Sequence, residues 1–324
     1  MWAYIVRRIL YNIPVFLAIV ALVFTVLRLG SDPVKAFLGK NPTAEQEQLF
    51  REKAGLDRPP VEQYFTFLGE FFTLDFSQES WAQPGKPVEE LLRERVGPSL
   101  AVTVPSLLIT TLLATCVGMI SAFYRGRFPD KTLMLAAVLG MCISYLVYII
   151  LGQHYGAAVL NEWLREDLGT DFKLFAIEGY EPGLQNWFYY CLLPVLINVV
   201  VALGYDARYY RAVMVEECNR DYITTAVAKG ATRRKVMFVH MLKNAMIPII
   251  TRVMITLPFL LAGALLVEKF FGIPGVGREL LNAIVGKDFP VIQVFTTFFA
   301  AIFIASNILT DVLYALVDPR VRLQ

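Results

Sequence analysis

Residues Leu100–Tyr124 read LAVTVPSLLITTLLATCVGMISAFY, a run without a single acidic or basic side chain. A helix needs about 20 predominantly apolar residues to cross the hydrocarbon core of a bilayer, and this run supplies them. Working outward from it, five further stretches meet or approach the same length: Ile9–Leu29, Thr132–Tyr155, Phe188–Gly204, Ala245–Val267 and Val291–Val317. Phe188–Gly204 is the shortest and contains Pro194 and Asn198. Pro14, Pro105, Pro248 and Pro258 do not disqualify their stretches, because neighbouring helices can satisfy the carbonyls they free. Arg7 and Arg8 give the first stretch a basic start. It outruns the apolar core of a signal peptide, however, and no small-residue cleavage pattern follows it. We read it as an uncleaved first span. The expected fold is an all-α integral membrane protein of about six transmembrane helices.

Composition agrees. Hydrophobic residues make up 56% of the chain and charged residues 18%, against roughly half and a quarter in soluble domains. The formal net charge is only +2, which gives no electrostatic case for nucleic acid. Cys116, Cys142, Cys191 and Cys218 fall singly, so neither a disulfide framework nor a zinc site is indicated. His154 and His240 lack metal-ligand spacing and read as structural residues.

Lysine and arginine collect in alternate connections, which sets orientation. The basic ones carry Arg7 and Arg8; Arg125, Arg127 and Lys131; eight residues from Arg208 to Lys243; and Arg320 and Arg322. The 156–187 connection holds Arg165 and Lys173 against Glu162, Glu166, Asp167, Asp171, Glu178 and Glu181. Both termini are therefore expected in the cytoplasm. The division that follows is 1–29, N-terminus and first span; 30–99, an extracytoplasmic helical segment; and 100–324, a core with five spans and a cytoplasmic loop at 205–244.

Within 30–99, Asp32-Pro33 ends the first span. Thr43 and Gln46 form a capping-box pattern before a short helix through about Lys53. The turn Gly55–Pro60 leads to a helix, Val61–Phe72, whose aromatic face (Tyr64, Phe65, Phe67, Phe71, Phe72) is expected to pack on the bundle or lie at the interface. Gln83–Pro87 is a polar turn before Val88–Arg95. Gly272–Gly277 has no Lys-Ser or Lys-Thr behind it and no strand before it, so it is not a phosphate loop. It reads as a turn into a short helix, Arg278–Val285. The phosphate-loop pattern is missing from the whole sequence, so any ATP that drives this protein must be bound by another chain.

The 205–244 connection is too elaborate for a linker. Asp206–Asn219 is charged and helical in character. Asp221–Gly230, DYITTAVAKG, reads as a short helix capped by Asp221 at its start and by Gly230 at its end. Thr225, Ala226 and Ala228 are small, so another surface can approach the backbone. Thr232 can cap the next helix, whose first turns hold Arg233, Arg234 and Lys235.

This arrangement resembles the coupling loop of ABC importer permeases. Thr224, Thr225, Ala226 and Gly230 occupy the positions of its Glu-Ala-Ala and Gly, two of the four being identical. The stretch Asp221–Thr251 is more similar still to the dipeptide/oligopeptide/nickel branch, with Lys243 where an Arg is usual. Arg7-Arg8 before Pro14, Gly55–Pro59, Glu268–Arg278, Asp288–Pro290 and Asp318–Arg320 resemble the same branch, in order. The acidic 156–187 loop departs from its pattern. The resemblance implies one half of a translocation path in the bacterial inner membrane. Its partners would be a second, similar permease, two cytoplasmic ATPase subunits that carry the ATP and magnesium, and an extracytoplasmic solute-binding protein. Membrane lipid surrounds the spans. No cofactor is expected in this chain, nor any catalysis. Asp221, Tyr222, Thr224, Thr225, Ala226, Lys229, Gly230, Ala231, Arg233 and Arg234 would then sit in an ATPase groove. Peptides lead the solutes because they dominate the branch; nickel chelates, sugars and peptide-like antibiotics stay open.

Arg252 lies two turns inside the fifth span, where an arginine costs about 2.5–3.5 kcal/mol on insertion scales. It is expected to snorkel to the cytoplasmic interface, or else to face the path and meet a solute carboxylate, or to pair with an acid. Ser306, Asn307 and Asp311 read as helix–helix contacts. A self-sufficient secondary transporter or channel would need more ionisable residues at mid-membrane. A membrane enzyme would need a cluster of His, Asp or Cys.

Overall fold

The computed structural model describes residues 2–29, 32–39, 42–73, 75–169 and 173–317. Asp171, Arg320, Arg322 and the Asp318–Arg320 motif lie outside the described residues, as does the side chain of Asp311. In chain order the helices are α1 (Trp2–Leu29), α2 (Pro33–Leu38), α3 (Ala44–Lys53), α4 (Pro60–Thr73), α5 (Val88–Phe123), α6 (Phe128–Cys142) and α7 (Tyr145–Leu151). A π-helical stretch, Gly152–Val159, leads to α8 (Leu160–Leu168), α9 (Leu184–Tyr190), α10 (Leu192–Cys218), α11 (Asp221–Ala228) and α12 (Arg233–Lys235). A second, Val236–Met241, leads to α13 (Leu242–Phe270), α14 (Val276–Gly286) and α15 (Phe289–Val317).

Five described helical stretches are long and apolar enough to cross a membrane: Val6–Arg28, Val88–Phe123, Leu192–Cys218, Arg233–Thr256 and Phe289–Thr310. The third expected span is not a single rod. α6 and the helix from Tyr145 to Asp167 meet at 91°. Ile143 and Ser144 are both extended (ψ 132° and 140°), and two such residues carry the chain out of helical geometry. Tyr148 Oη donates to the Gly140 carbonyl across the corner, at 2.9 Å, and so satisfies one of the carbonyls that end α6. The fourth and fifth helices also run further than their apolar cores. α10 continues through the charged stretch to Cys218, and helix resumes at Arg233, so only residues 219–232 separate the long helices, with α11 among them.

The chain divides into two compact units, residues 1–99 with 274–308, and residues 100–273 with 309–324. In the first unit α3 opens with the capping box: Gln46 N donates to Thr43 Oγ1 at 3.3 Å, and Thr43 N to Gln46 Oε1 at 3.1 Å. The aromatic face of α4 packs on α1, with Phe71 5.1 Å from Phe16 and Tyr64 5.5 Å from Phe24 between ring centroids. Phe67, Leu91, Val291 and Phe295 are buried in the same core. The turn at Gly272 (φ 67°) and the following Pro-Gly lead into α14.

The second unit is held by close helix contacts at glycine. A Cβ on Gly118 of α5 would lie 3.0 Å from the Arg211 amide of α10, and one on Gly204 would lie 2.9 Å from the Ala137 carbonyl of α6. Either substitution would push backbones apart, so α10 is gripped by α5 and by α6. The side of the bundle toward α11 is filled by Ala114, Met119, Tyr210, Met214, Ile223, Met241 and Ala245.

Candidate functional site

The short helix α11 is fixed along one side and bare along the other. Ile223 and Ala226 are buried, 8% exposed each, and Ile223 joins the core that contains Met214 and Met241. Burying an isoleucine is worth about 1.5–3 kcal/mol, enough to seat so short a helix. Tyr222, half-buried, donates its hydroxyl to Glu217 at the end of α10, at 2.5 Å. Burial first, and the facing Glu217 carboxylate second, push the Tyr222 phenol up to about 12, so it remains a donor at neutral pH. Arg220 pairs with Glu216 at 2.7 Å across the turn before α11.

The other side presents Asp221, Thr224, Thr225, Val227, Ala228, Lys229 and Gly230, all exposed. Ala226 therefore faces inward, and the small residues left on the open face are Thr225 and Ala228. Thr225 Oγ1 donates to the Asp221 carbonyl within the helix, at 3.0 Å. Asp221 does not cap the helix. The N-cap residue is Arg220, with no side-chain cap bond, and Asp221 sits in the first turn. There its negative charge complements the helix dipole instead.

The end of α11 is a Schellman turn. Gly230 is left-handed (φ 80°), its amide bonds the Val227 carbonyl at 2.9 Å, and the Ala231 amide bonds the Ala226 carbonyl at 3.1 Å. Glycine takes this conformation without a Cβ penalty. Thr232 then caps α12, its hydroxyl accepting from the Lys235 amide at 3.4 Å. Arg233 lies over the Phe123 ring at 5.2 Å. Arg234 and Lys235 are exposed.

Two buried carboxylates brace this end of the second unit. Asp130, 3% exposed, receives Arg211 in a two-bond fork at 2.6 and 2.7 Å, together with the Gly126 amide at 2.8 Å and the Ser121 hydroxyl. The fork ties α10 to α6 and to the end of α5. Asp206, 6% exposed, receives Arg252 Nε at 2.9 Å, and the same guanidinium lies 5.8 Å from the Tyr209 ring centre. Arg252 thus takes the carboxylate-pairing option, while 38% of its side chain stays exposed.

Asp206, Asp130 and Glu217 were not singled out by the sequence reading. A signal existed for the first two. A carboxylate and an arginine within or beside apolar runs each need a partner. Which arginine meets which acid depends on how the helices pack, and a single sequence does not give that.

Residues 114–323 match the family described as binding-protein-dependent transport system inner membrane component, and residues 1–85 match the N-terminal component of the same systems. A probable peptide ABC transporter permease protein of Sinorhizobium fredii is 30% identical over 99% of this chain and 100% of its own length. The glutathione transport system permease protein GsiC of Escherichia coli K12 is 32% identical over 98% of both chains. The inward-facing MetNI methionine ABC transporter structure aligns with 70% of this chain and 96% of its own, with a TM-score of 0.53 and 17% identity, a likeness of fold. The chain, a multi-pass membrane protein, belongs to the family of inner membrane permease components of binding-protein-dependent ABC import systems.

Proposed function

We propose that this permease carries short peptides or peptide-like solutes, and that α11 is the element through which a partner ATPase drives it. The observation that carries the coupling assignment is the asymmetry of α11. Ile223 and Tyr222 tie it to the end of α10, while Thr224, Thr225 and Ala228 leave a low, bare ridge of the opposite face. A ridge of small side chains lets a neighbouring subunit seat against the backbone, and the anchored side passes displacement to α10. Lys229, Arg233 and Arg234 flank the ridge with positive charge, suited to acidic residues at the mouth of a groove.

In this reading both termini and residues 219–232 face the cytoplasm, following the basic connections. A second, similar permease completes the path, two ATPase subunits bind ATP and magnesium, and an extracytoplasmic binding protein delivers the solute. The printed names of the relatives, peptide and glutathione permeases, favour peptides among the solutes. Arg252 would exchange Asp206 for the carboxylate of a passing peptide, since part of its guanidinium side remains open.

The test is ATP hydrolysis by the purified assembly with and without solute-loaded binding protein. A Thr225→Cys variant should form a disulfide to an engineered cysteine in the ATPase groove, and Ala226→Trp should abolish solute-stimulated hydrolysis while the chain still inserts. Stimulation that survives Ala226→Trp rules out α11 as the coupling element. Uptake that is unchanged in Arg252→Ala removes that residue from the path.

A further inference from the structure

The first unit contains a cavity that none of the transport roles above uses. It is open on one side and holds about 570 Å³, within the roughly 300–1,000 Å³ of small-molecule sites. One wall is aromatic. Phe37 stacks on Phe50 at 5.4 Å, Phe50 meets Trp81 edge-on at 4.9 Å, and Trp81 meets Phe289 at 5.5 Å. Such a wall takes an apolar or aromatic side chain.

Two polar groups on the lining are unspent. Arg28, at the end of α1, lies over the Phe24 ring at 5.4 Å and has no carboxylate partner among the described residues. The other cations of the lining differ. Lys53 lies 4.0 Å from Glu79 and Arg58 3.7 Å from Glu62, and both are exposed. Gln63 supplies the second group. Its Nε2 donates to the carbonyls of Leu56 at 3.2 Å and Arg58 at 2.7 Å, which fixes the amide orientation. Its Oε1 is left buried without a donor among the described residues, a state that structures ordinarily avoid. Glu70 lines the same cavity and accepts from Gln78 Nε2 at 2.5 Å; burial pushes its carboxyl above the usual range.

We infer that this cavity is a holding site for a short peptide with free termini. Arg28 takes the C-terminal carboxylate, the Phe50–Trp81 wall takes an apolar side chain, and Gln63 Oε1 accepts a peptide or ammonium N–H. The peptide class rests on the proposed function. The demand for one anion, one apolar group and one N–H donor comes from the cavity alone. A phospholipid would offer Arg28 an anion, but one without an N–H leaves Gln63 Oε1 unsatisfied.

The experiment uses the full chain in phosphatidylcholine nanodiscs, titrated with Ala-Phe-Ala and with its C-terminally amidated form, and read by calorimetry and by tryptophan fluorescence. The expected result is saturable binding of the free acid without any other subunit. Amidation should weaken it about tenfold, as loss of a charge-assisted hydrogen bond does. Arg28→Gln should weaken the free acid by a similar factor and make amidation nearly silent. Gln63→Leu should weaken both forms equally, and serves if the arginine variant does not fold.

Absence of saturation overturns the inference. So does an amidation penalty that persists in Arg28→Gln, or tightly held phospholipid that the peptide cannot displace. Uptake of Ala-Phe-Ala by the assembled transporter separates this inference from the reading it rests on. Uptake without binding to the isolated chain sinks the holding site alone. Binding without uptake sinks the peptide transport reading and leaves the site standing.

Discussion

Two short helices of this protein, α11 and α14, end in the same turn built from opposite materials. After α11 the left-handed residue is Gly230, and after α14 it is Lys287, the one described non-glycine residue with positive φ (57°). The hydrogen bonds correspond. The Lys287 amide bonds the Ile284 carbonyl at 3.3 Å, and the Asp288 amide bonds the Ala283 carbonyl at 2.8 Å, as Gly230 and Ala231 do at the end of α11. A left-handed lysine costs about 1–2 kcal/mol, so something must hold it. Asp288 does. Only 2% exposed, it accepts from the Ser80 hydroxyl at 2.5 Å and from the amides of Trp81 and Ala82 at 3.2 and 3.1 Å. The α14 turn is thus locked by a distant loop, and the α11 turn is stable by itself. The first turn needs a contact 208 residues away in sequence, and the second needs only its own glycine.

The contrast can be broken at four places. Asp288→Ala leaves four donors, the Val291 amide at 3.5 Å among them, without their acceptor and should cost about 3 kcal/mol or more, seen as a fall of several degrees in the thermal midpoint of the purified chain. An unchanged midpoint would mean that Asp288 is no lock. Gly230→Pro cannot adopt φ 80° and loses its amide donor, a penalty of about 2–3 kcal/mol confined to residues 226–232. Solute-stimulated ATP hydrolysis should fall by tenfold or more while the midpoint moves less than for Asp288→Ala. Lys287→Gly should stabilise the first unit by up to about 1 kcal/mol by removing the left-handed penalty, provided Asp288 is intact. Gly230→Ala is the mildest. A Cβ there meets nothing within 4 Å, so only the backbone term of about 1 kcal/mol applies, and coupling should persist. Loss of coupling in the alanine variant would point to a partner surface pressed directly on Gly230.

What the sequence disclosed followed the range of the interactions. The Thr43 capping box, the Gly230 turn and the Thr232 cap each depend on residues within five positions of one another, and all three form as read. Spans were legible because burial in lipid is written as composition. The bend between Cys142 and Tyr145 was not, since hydropathy records how apolar a stretch is and says nothing of its direction. Arg211 with Asp130, Arg252 with Asp206, and Arg95 with Glu279 (3.1 Å) join residues 81, 46 and 184 positions apart, and no local rule connects them. Asp221 failed as a cap for a subtler reason. Aspartate is favoured both at the cap and in the first turn, so residue type alone could not separate two adjacent positions.

The grip on α10 has a mechanical consequence. With Gly118 and Gly204 pressed against neighbouring backbones and Asp130 clamping Arg211, α10 is held near its middle, like a beam on a fulcrum. Its 27 residues span about 40 Å at 1.5 Å each, so pivoting it by about 5° shifts one end relative to the other by about 3.5 Å. In the proposed coupling, a nudge at the α11 end would therefore reach Leu192 as a shift of opposite direction and similar size.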